Sequence, residues 1–168
     1  MVPVSLSRVM RAVKIIALVT APNLDLVINF LKCFPCVEKL YIVSYGQNIK
    51  NVQHYVSLEC LDLHLKMVQF IAYQGKMSDV NFIKSFVLNA RVLKSMEIVV
   101  RRDKCDSNWI ASQHEKLRLN ARASLGARFD FQADYQSCSM VHMLHILDLA
   151  TDDPFDMSLC RCRRDDFL

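Results

Sequence analysis

Leu93-Lys94-Ser95-Met96-Glu97-Ile98-Val99 decides the fold, because the chain uses the same outline twice before it. Val13-Lys14-Ile15-Ile16-Ala17-Leu18-Val19 and Val37-Glu38-Lys39-Leu40-Tyr41-Ile42-Val43 are the earlier versions. The second starts 24 residues after the first and the third 56 after the second, so one more unit fits in the longer gap. Each of the last two follows a run that reads as a helix. A chain built this way stacks strand-and-helix units, and its product is exterior shape rather than an enclosed catalytic pocket.

Working outward, residues 13–19 read as a strand rich in Val and Ile. Pro22-Asn23 turns the chain, and Leu24, Val27, Ile28 and Leu31 recur at helical spacing, which predicts a helix over 23–32. Phe34-Pro35 ends it, since the residue before proline is steered away from helical angles. Residues 37–43 form the next strand, with only partial period-2 burial. Residues 44–56 are polar and irregular, with Gly46 and Asn48 as turn residues; Leu58, Leu61, Leu63 and Leu65 follow without an assigned element. A third strand runs over 66–73, and Gly75 breaks it. Ser78-Asp79 opens the strongest helix, whose period Val80, Ile83, Phe86, Val87 and Ala90 carry to about Leu93. Residues 93–100 are almost continuously apolar, as expected of a strand covered on both faces. A charged loop, a helix over Trp109–Asn120 and a last strand at Ala127–Phe131 complete the series. Strands parted by helices predict parallel neighbours. The 24 to 28 residues between strands match the leucine-rich-repeat range.

The 168 residues suit one domain, or a small domain with a partial neighbour, and 52% apolar content supplies a core. Three glycines and four prolines argue against long flexible linkers. A net charge of +4 is ordinary for solubility and is no nucleic-acid signature. Seven cysteines, an odd count, with Cys33, Cys60 and Cys138 in apolar or mixed segments, point to a reduced intracellular chain, cytoplasmic or nuclear. Arg8, Arg11 and Lys14 before Ile15–Ala21 imitate a secretory signal, but the repeated strand phrase explains the same residues better. No apolar window approaches the roughly 18 residues of a membrane span, so no membrane role is expected.

Reactive constellations are sparse. Cys33-x2-Cys36 has the spacing of half a zinc site. Cys160-x-Cys162 is too tight to complete it, and His142-x2-His145 is flanked by apolar residues. A buried thiol at Cys33 and a coincidence at Cys36 is the plainer reading. Ser57, Ser78, Ser124 and Ser139 lack a nucleophile-elbow setting. Asp152, Asp153 and Asp156 lack the spaced oxygen loop of a calcium site. Asp103 and Asp106 read as a solvated loop. No catalytic, cofactor or metal residue is therefore assigned. Arg101, Arg102, Lys104, Lys116, Arg118, Arg122 and Arg128 form the best basic group, but Asp103, Asp106 and Glu115 dilute it. Base stacking has only Trp109 and Phe129, so nucleic acid is not an expected partner.

Six residues are candidates for partner binding or for structure: Asn89, Arg91, Lys94, Arg101, Arg102 and Trp109. Asn89 can close a helix, Arg91 and Lys94 suit a helix C-terminus, and the single tryptophan suits a core anchor as well as an interface centre.

From Leu61 to Phe155 the chain resembles the FBD domain of plant F-box proteins. Leu65-Lys66-Met67-Val68, Gly75-Lys76-Met77-Ser78-Asp79-Val80-Asn81-Phe82 and Phe86-Val87-Leu88-Asn89-Ala90-Arg91-Val92-Leu93-Lys94 carry the likeness. Trp109-Ile110-Ala111, a stretch with Gln113, Arg122-Ala123-Ser124 leading to Ala127-Arg128-Phe129, and Asp152-Asp153-Pro154-Phe155 extend it. The part before Leu61 resembles the last leucine-rich repeats of such proteins, with Cys33-Phe34-Pro35-Cys36-Val37-Glu38-Lys39-Leu40 as a helix-to-strand joint.

The resemblance implies an α/β fold, a leucine-rich-repeat-like stack of mainly parallel strands and helices continued by an FBD-type domain. The expected division is 1–57, 58–156 and an irregular tail over 157–168. No F-box is read in 1–30, so a truncated family member is expected, and a Skp1-type adaptor is a partner only if an F-box lies upstream of Met1. The implied role is a non-catalytic protein-interaction module related to substrate recognition in ubiquitin ligases, with an unknown protein partner. A structural relic or partial gene product without activity, and a small enzyme of unknown class, are the competing readings.

Overall fold

The computed structural model describes residues 9–45, 58–101, 104–134 and 152–156, apart from the side chains of Arg101 and Asp134. The readings that fall on Gly46, Asn48, Arg102, Asp103, Cys138, the His142 and His145 pair, Cys160, Cys162 and the tail lie outside those residues. The order is β1 (Ile15–Thr20), α1 (Leu24–Leu31), β2 (Lys39–Ser44), α2 (Glu59–Leu63), β3 (Met67–Tyr73), α3 (Met77–Asn89), β4 (Ser95–Arg101), α4 (Ser107–Lys116), a 3₁₀ turn (Leu119–Ala121) and β5 (Arg128–Asp134).

The five strands form one sheet, ordered β1-β2-β3-β4-β5, with every pair parallel. The register follows the sequence repeat. Ile15 faces Lys39, 24 residues on; Lys39 faces Met67 and Met67 faces Ser95, at 28 residues each. Two steps of 28 make the 56 of the longer gap, and β3 is the unit that fills it. The strand starts are also tied in a repeated way. The Lys14 carbonyl accepts from the amides of Glu38 and Lys39, that of Glu38 from Lys66 and Met67, and that of Lys66 from Lys94 and Ser95. Glu38 bridges Lys14 at 3.4 Å and Lys66 at 2.5 Å, and those two hydrogen bonds hold its carboxyl below the ordinary value.

All helices lie on one face. Leu24, Val27, Ile28 and Leu31 of α1, Cys60 and Leu61 of α2, and Phe82, Ile83, Phe86 and Val87 of α3 share a core with Ile16, Leu40, Ile42, Val68, Phe70, Met96 and Ile98. Period-2 side-chain alternation sends the intervening strand residues to the other face. Tyr41 and Val43 are buried there too, so β2 is covered on both sides, beyond the partial burial its sequence suggests.

Helix boundaries follow local chemistry. Asn23 caps α1, its side-chain oxygen accepting from the Leu26 amide at 3.1 Å. Ser78 does not cap α3: the helix starts at Met77 and Ser78 is buried inside the first turn. Nor does α3 reach Leu93; it stops at Asn89. Asp106 is exposed, as a solvated loop residue would be, and it also caps α4, accepting from the Trp109 amide at 2.8 Å. Left-handed Arg118, at φ 56°, follows α4 and keeps that helix from reaching Asn120. The short α2 is an element the leucine pattern did not suggest. Five residues give too few turns for a helical period, yet it supplies the crossover between β2 and β3.

One irregularity sets the end of β3. The register slips between Ile71 and Tyr73, and Ala72 adopts φ 66°. This bulge advances Tyr73 onto the helix face beside Phe70, where plain alternation would send it outward. A left-handed conformation costs an L-residue roughly 1–2 kcal/mol, partly offset by the extra unfolded-state entropy of glycine. Ala72→Gly is therefore expected to raise the unfolding free energy by about 1 kcal/mol, read from the urea midpoint.

Candidate interaction surface

Two groups of side chains stand out, one under the helices and one on the opposite strand face. The first is the corner made by the β3–α3 loop and α4. Tyr73, delivered by the bulge, donates its hydroxyl to Gln113 Oε1 at 2.9 Å, and Gln113 is buried. Burial raises the Tyr73 pKa, so the phenol stays a donor. Gly75 sits at φ 70°, and a Cβ there would lie 3.1 Å from Trp109 and 3.2 Å from Gln113. Trp109 is half-buried; its ring meets Tyr73 at 5.9 Å and Phe131 at 6.2 Å. The family-like phrases around Gly75, Trp109 and Gln113, separate in sequence, meet here.

Asp79 closes the same loop from α3. It is buried, and its carboxylate accepts from the Gln74 amide at 3.0 Å. Burial raises its pKa; the Gln74 and Lys76 amides only partly offset that. The folded state thus holds this proton more tightly than the unfolded chain, so stability falls as pH rises from 3.8 through the raised value. Asp79→Asn keeps an acceptor without the charge. It is expected to stay within about 1 kcal/mol of the parent at pH 7 and to flatten that pH dependence. Asp79→Ala strands the amide and should cost about 1–3 kcal/mol. Thermal melts between pH 4 and 7 check both.

The remaining candidates are dispersed. Asn89 ends α3 and donates its side-chain amide to the Ser85 carbonyl at 2.7 Å. Arg91 pairs with Asp62 at 3.3 Å, while its amide bonds the Leu61 carbonyl, joining α3 to α2. Lys94 is exposed, with its backbone bridging Lys66 and Arg128. Arg101 lies in β4 and Arg102 outside the described residues. Among the described side chains of this group no bond joins one to another. Arg122 of the basic group is engaged locally, donating to the carbonyls of Leu119 and Leu125 at 3.1–3.2 Å. The Ala123 amide and Ser124 hydroxyl tie this segment to Val87 and Leu93. Cys33 and Cys60 are buried and form no disulfide, and burial pushes the Cys60 thiol up to about 11. Among the described residues no group of His, Cys, Asp and Glu could hold a metal, and no helix is long and apolar enough to cross a membrane.

The strand face away from the helices carries the second group. Register aligns Ala17, Tyr41, Gln69, Glu97 and Asp130 in one row across the sheet. Gln69 donates to Glu97 at 2.9 Å, while Asp130 and Arg128 are exposed at the β5 end. At the β2 end, Lys39 Nζ and the Tyr41 hydroxyl both reach Asp153 Oδ2, at 2.5 and 2.8 Å. The other Asp153 oxygen accepts from the Phe155 amide at 3.2 Å, and the Phe155 ring lies 5.6 Å from that of Tyr41. Burial pushes the Asp153 carboxyl up, but the bonds from Lys39, Tyr41 and Phe155 outweigh it and its pKa is lowered. Sequence reasoning singled out neither Lys39 nor Tyr41. The available signal was their place, two residues apart on one strand, together with the family-like Asp152-Asp153-Pro154-Phe155.

Residues 1–42 match the leucine-rich repeats of the FBD-associated F-box protein At5g56370, and residues 56–98 match the FBD family. No curated protein and no solved structure matches the chain. The first match spans β1, α1 and the start of β2, and the second runs from α2 into β4, with one sheet continuous across both. The chain is thus a leucine-rich-repeat segment followed by an FBD domain, the combination of plant FBD/LRR F-box proteins.

Proposed function

We propose that the chain is a non-catalytic protein-interaction module, related to the substrate-recognition part of ubiquitin ligases and working inside the cell. The observation that carries this reading is the all-parallel sheet in chain order with its helices on one face. Such a stack offers its strand face to partners, as solenoids do. At the β5 end of that face Arg128 and Asp130 are exposed and give it charged groups able to specify a protein surface.

Affinity capture from plant extract with the full chain tests it. The charge swap Arg128→Glu with Asp130→Lys alters the strand face and keeps the net charge. Glu115→Lys alters the helix side. A partner lost with the swap and kept with Glu115→Lys supports the proposal. Capture that ignores the swap, or no specific partner for the folded chain, overturns it.

A further inference from the structure

We propose that Lys39 and Tyr41 form a binding site for a short carboxylate–proline–aromatic segment, occupied in this chain by its own Asp153-Pro154-Phe155. The inference rests on the interaction reading above and names the chemistry of one part of that surface. Two adjacent outward positions of β2 present an ammonium and a phenol to one carboxylate oxygen. The ligand half is a self-made turn. The Asp156 amide bonds the Asp153 carbonyl at 3.2 Å, and the Phe155 amide bonds the Asp153 side chain at 3.2 Å. Pro154 takes the second position of that turn, where its fixed φ fits. The turn holds the carboxylate and the ring on one side, and Tyr41 meets both: its hydroxyl takes Asp153 and its ring takes Phe155 at an interplanar angle of 42°. Asp153 is only 10% exposed although Lys39 keeps 40% of its side chain in solvent, so the strand encloses the acid more than the base.

Among the described residues, Asp153 and Phe155 supply the contacts on the ligand side, and the turn over 153–156 shapes them. The contact spans 112 and 114 residues of sequence. It therefore has the form of a short linear motif bound in cis, and the same motif on another protein would present the same atoms. A partner of that chemistry must displace the internal segment, which makes the site self-covering.

Carbodiimide activation of the unaltered full chain provides the test, because it joins Lys39 to Asp153 wherever they touch. Excess synthetic Asp-Asp-Pro-Phe-Asp peptide is expected to lower that internal cross-link at least threefold and to become linked to Lys39 itself. Asp-Asn-Pro-Ala-Asp peptide should do neither. A chain carrying Asp153→Asn with Phe155→Ala should bind the labelled peptide at least tenfold more tightly than the parent. Adding Tyr41→Phe and Lys39→Met should remove the gain. An internal cross-link unchanged by excess peptide overturns the inference, even where the double variant fails to fold. If partner capture still depends on Arg128 and Asp130 in that case, the interaction reading survives and only this site falls. If capture ignores the strand face while the peptide exchanges, the reverse holds.

Discussion

Phe70→Ala is expected to lower the unfolding free energy by about 3–5 kcal/mol. Phe70 lies in β3, the middle strand of five, and none of it reaches solvent. Its ring packs 5.5 Å from Phe82 of α3 and 6.1 Å from Tyr73. Truncation removes the transfer energy of the ring and leaves a cavity that strands on both sides keep from collapsing. Against a total of about 5–15 kcal/mol for an ordinary domain, this removes a third or more of the stability. Phe70→Leu refills most of the space and should cost about 1–2 kcal/mol. Urea titration measures both. Leu125→Ala, at a site 80% exposed, is the reference. A Phe70→Ala midpoint no lower than that reference would sink the central placement of β3.

Gly75→Ala is expected to cost about 2–4 kcal/mol, unusual for a single methyl group in a loop. Two effects add. The left-handed backbone at φ 70° costs an alanine roughly 1–2 kcal/mol. The new carbon also meets Trp109 at 3.1 Å and Gln113 at 3.2 Å, and Gln113 is held by Tyr73. Replacing Trp109 by Phe takes away the nearer crowding atom, so Gly75→Ala measured in a Trp109→Phe background should cost only the backbone part and the Gln113 contact. A double-mutant cycle reads the difference as a coupling of about 1–2 kcal/mol. Strict additivity of the two substitutions would show that crowding by Trp109 is no part of the glycine's role.

The repeated strand phrase made the sheet legible, because strand identity and register share one cause. Residues that recur at a fixed phase pair with each other, so the offsets already contained Ile15 opposite Lys39 and, two units later, Ser95. The apolar face of α1 was legible for the same reason. What the pattern could not show were features set by one residue or by contact across the fold. The α2 helix has too few residues for a period, the bulge turns on the conformation of Ala72, and Asp106 reveals itself as a cap only once α4 is known to begin at Ser107. The candidate surface was the least legible part. Lys39 and Tyr41 meet Asp153 across more than a hundred residues, and no spacing rule reaches that far. Of the candidates drawn from the sequence, Asn89, Arg91, Lys94 and Trp109 make their contacts elsewhere.

Among the described residues each strand pairs with its neighbours in chain order, so no hydrogen-bonded ladder there waits for a distant segment. Assembly can then proceed like closing a zipper, with each added unit rewarded by the one before it and the loop-closure cost kept to a few dozen residues. Such a molecule need not unfold all at once. Amide exchange should be slowest in β3, which has two neighbours on either side, and should quicken in steps toward β1 and β5.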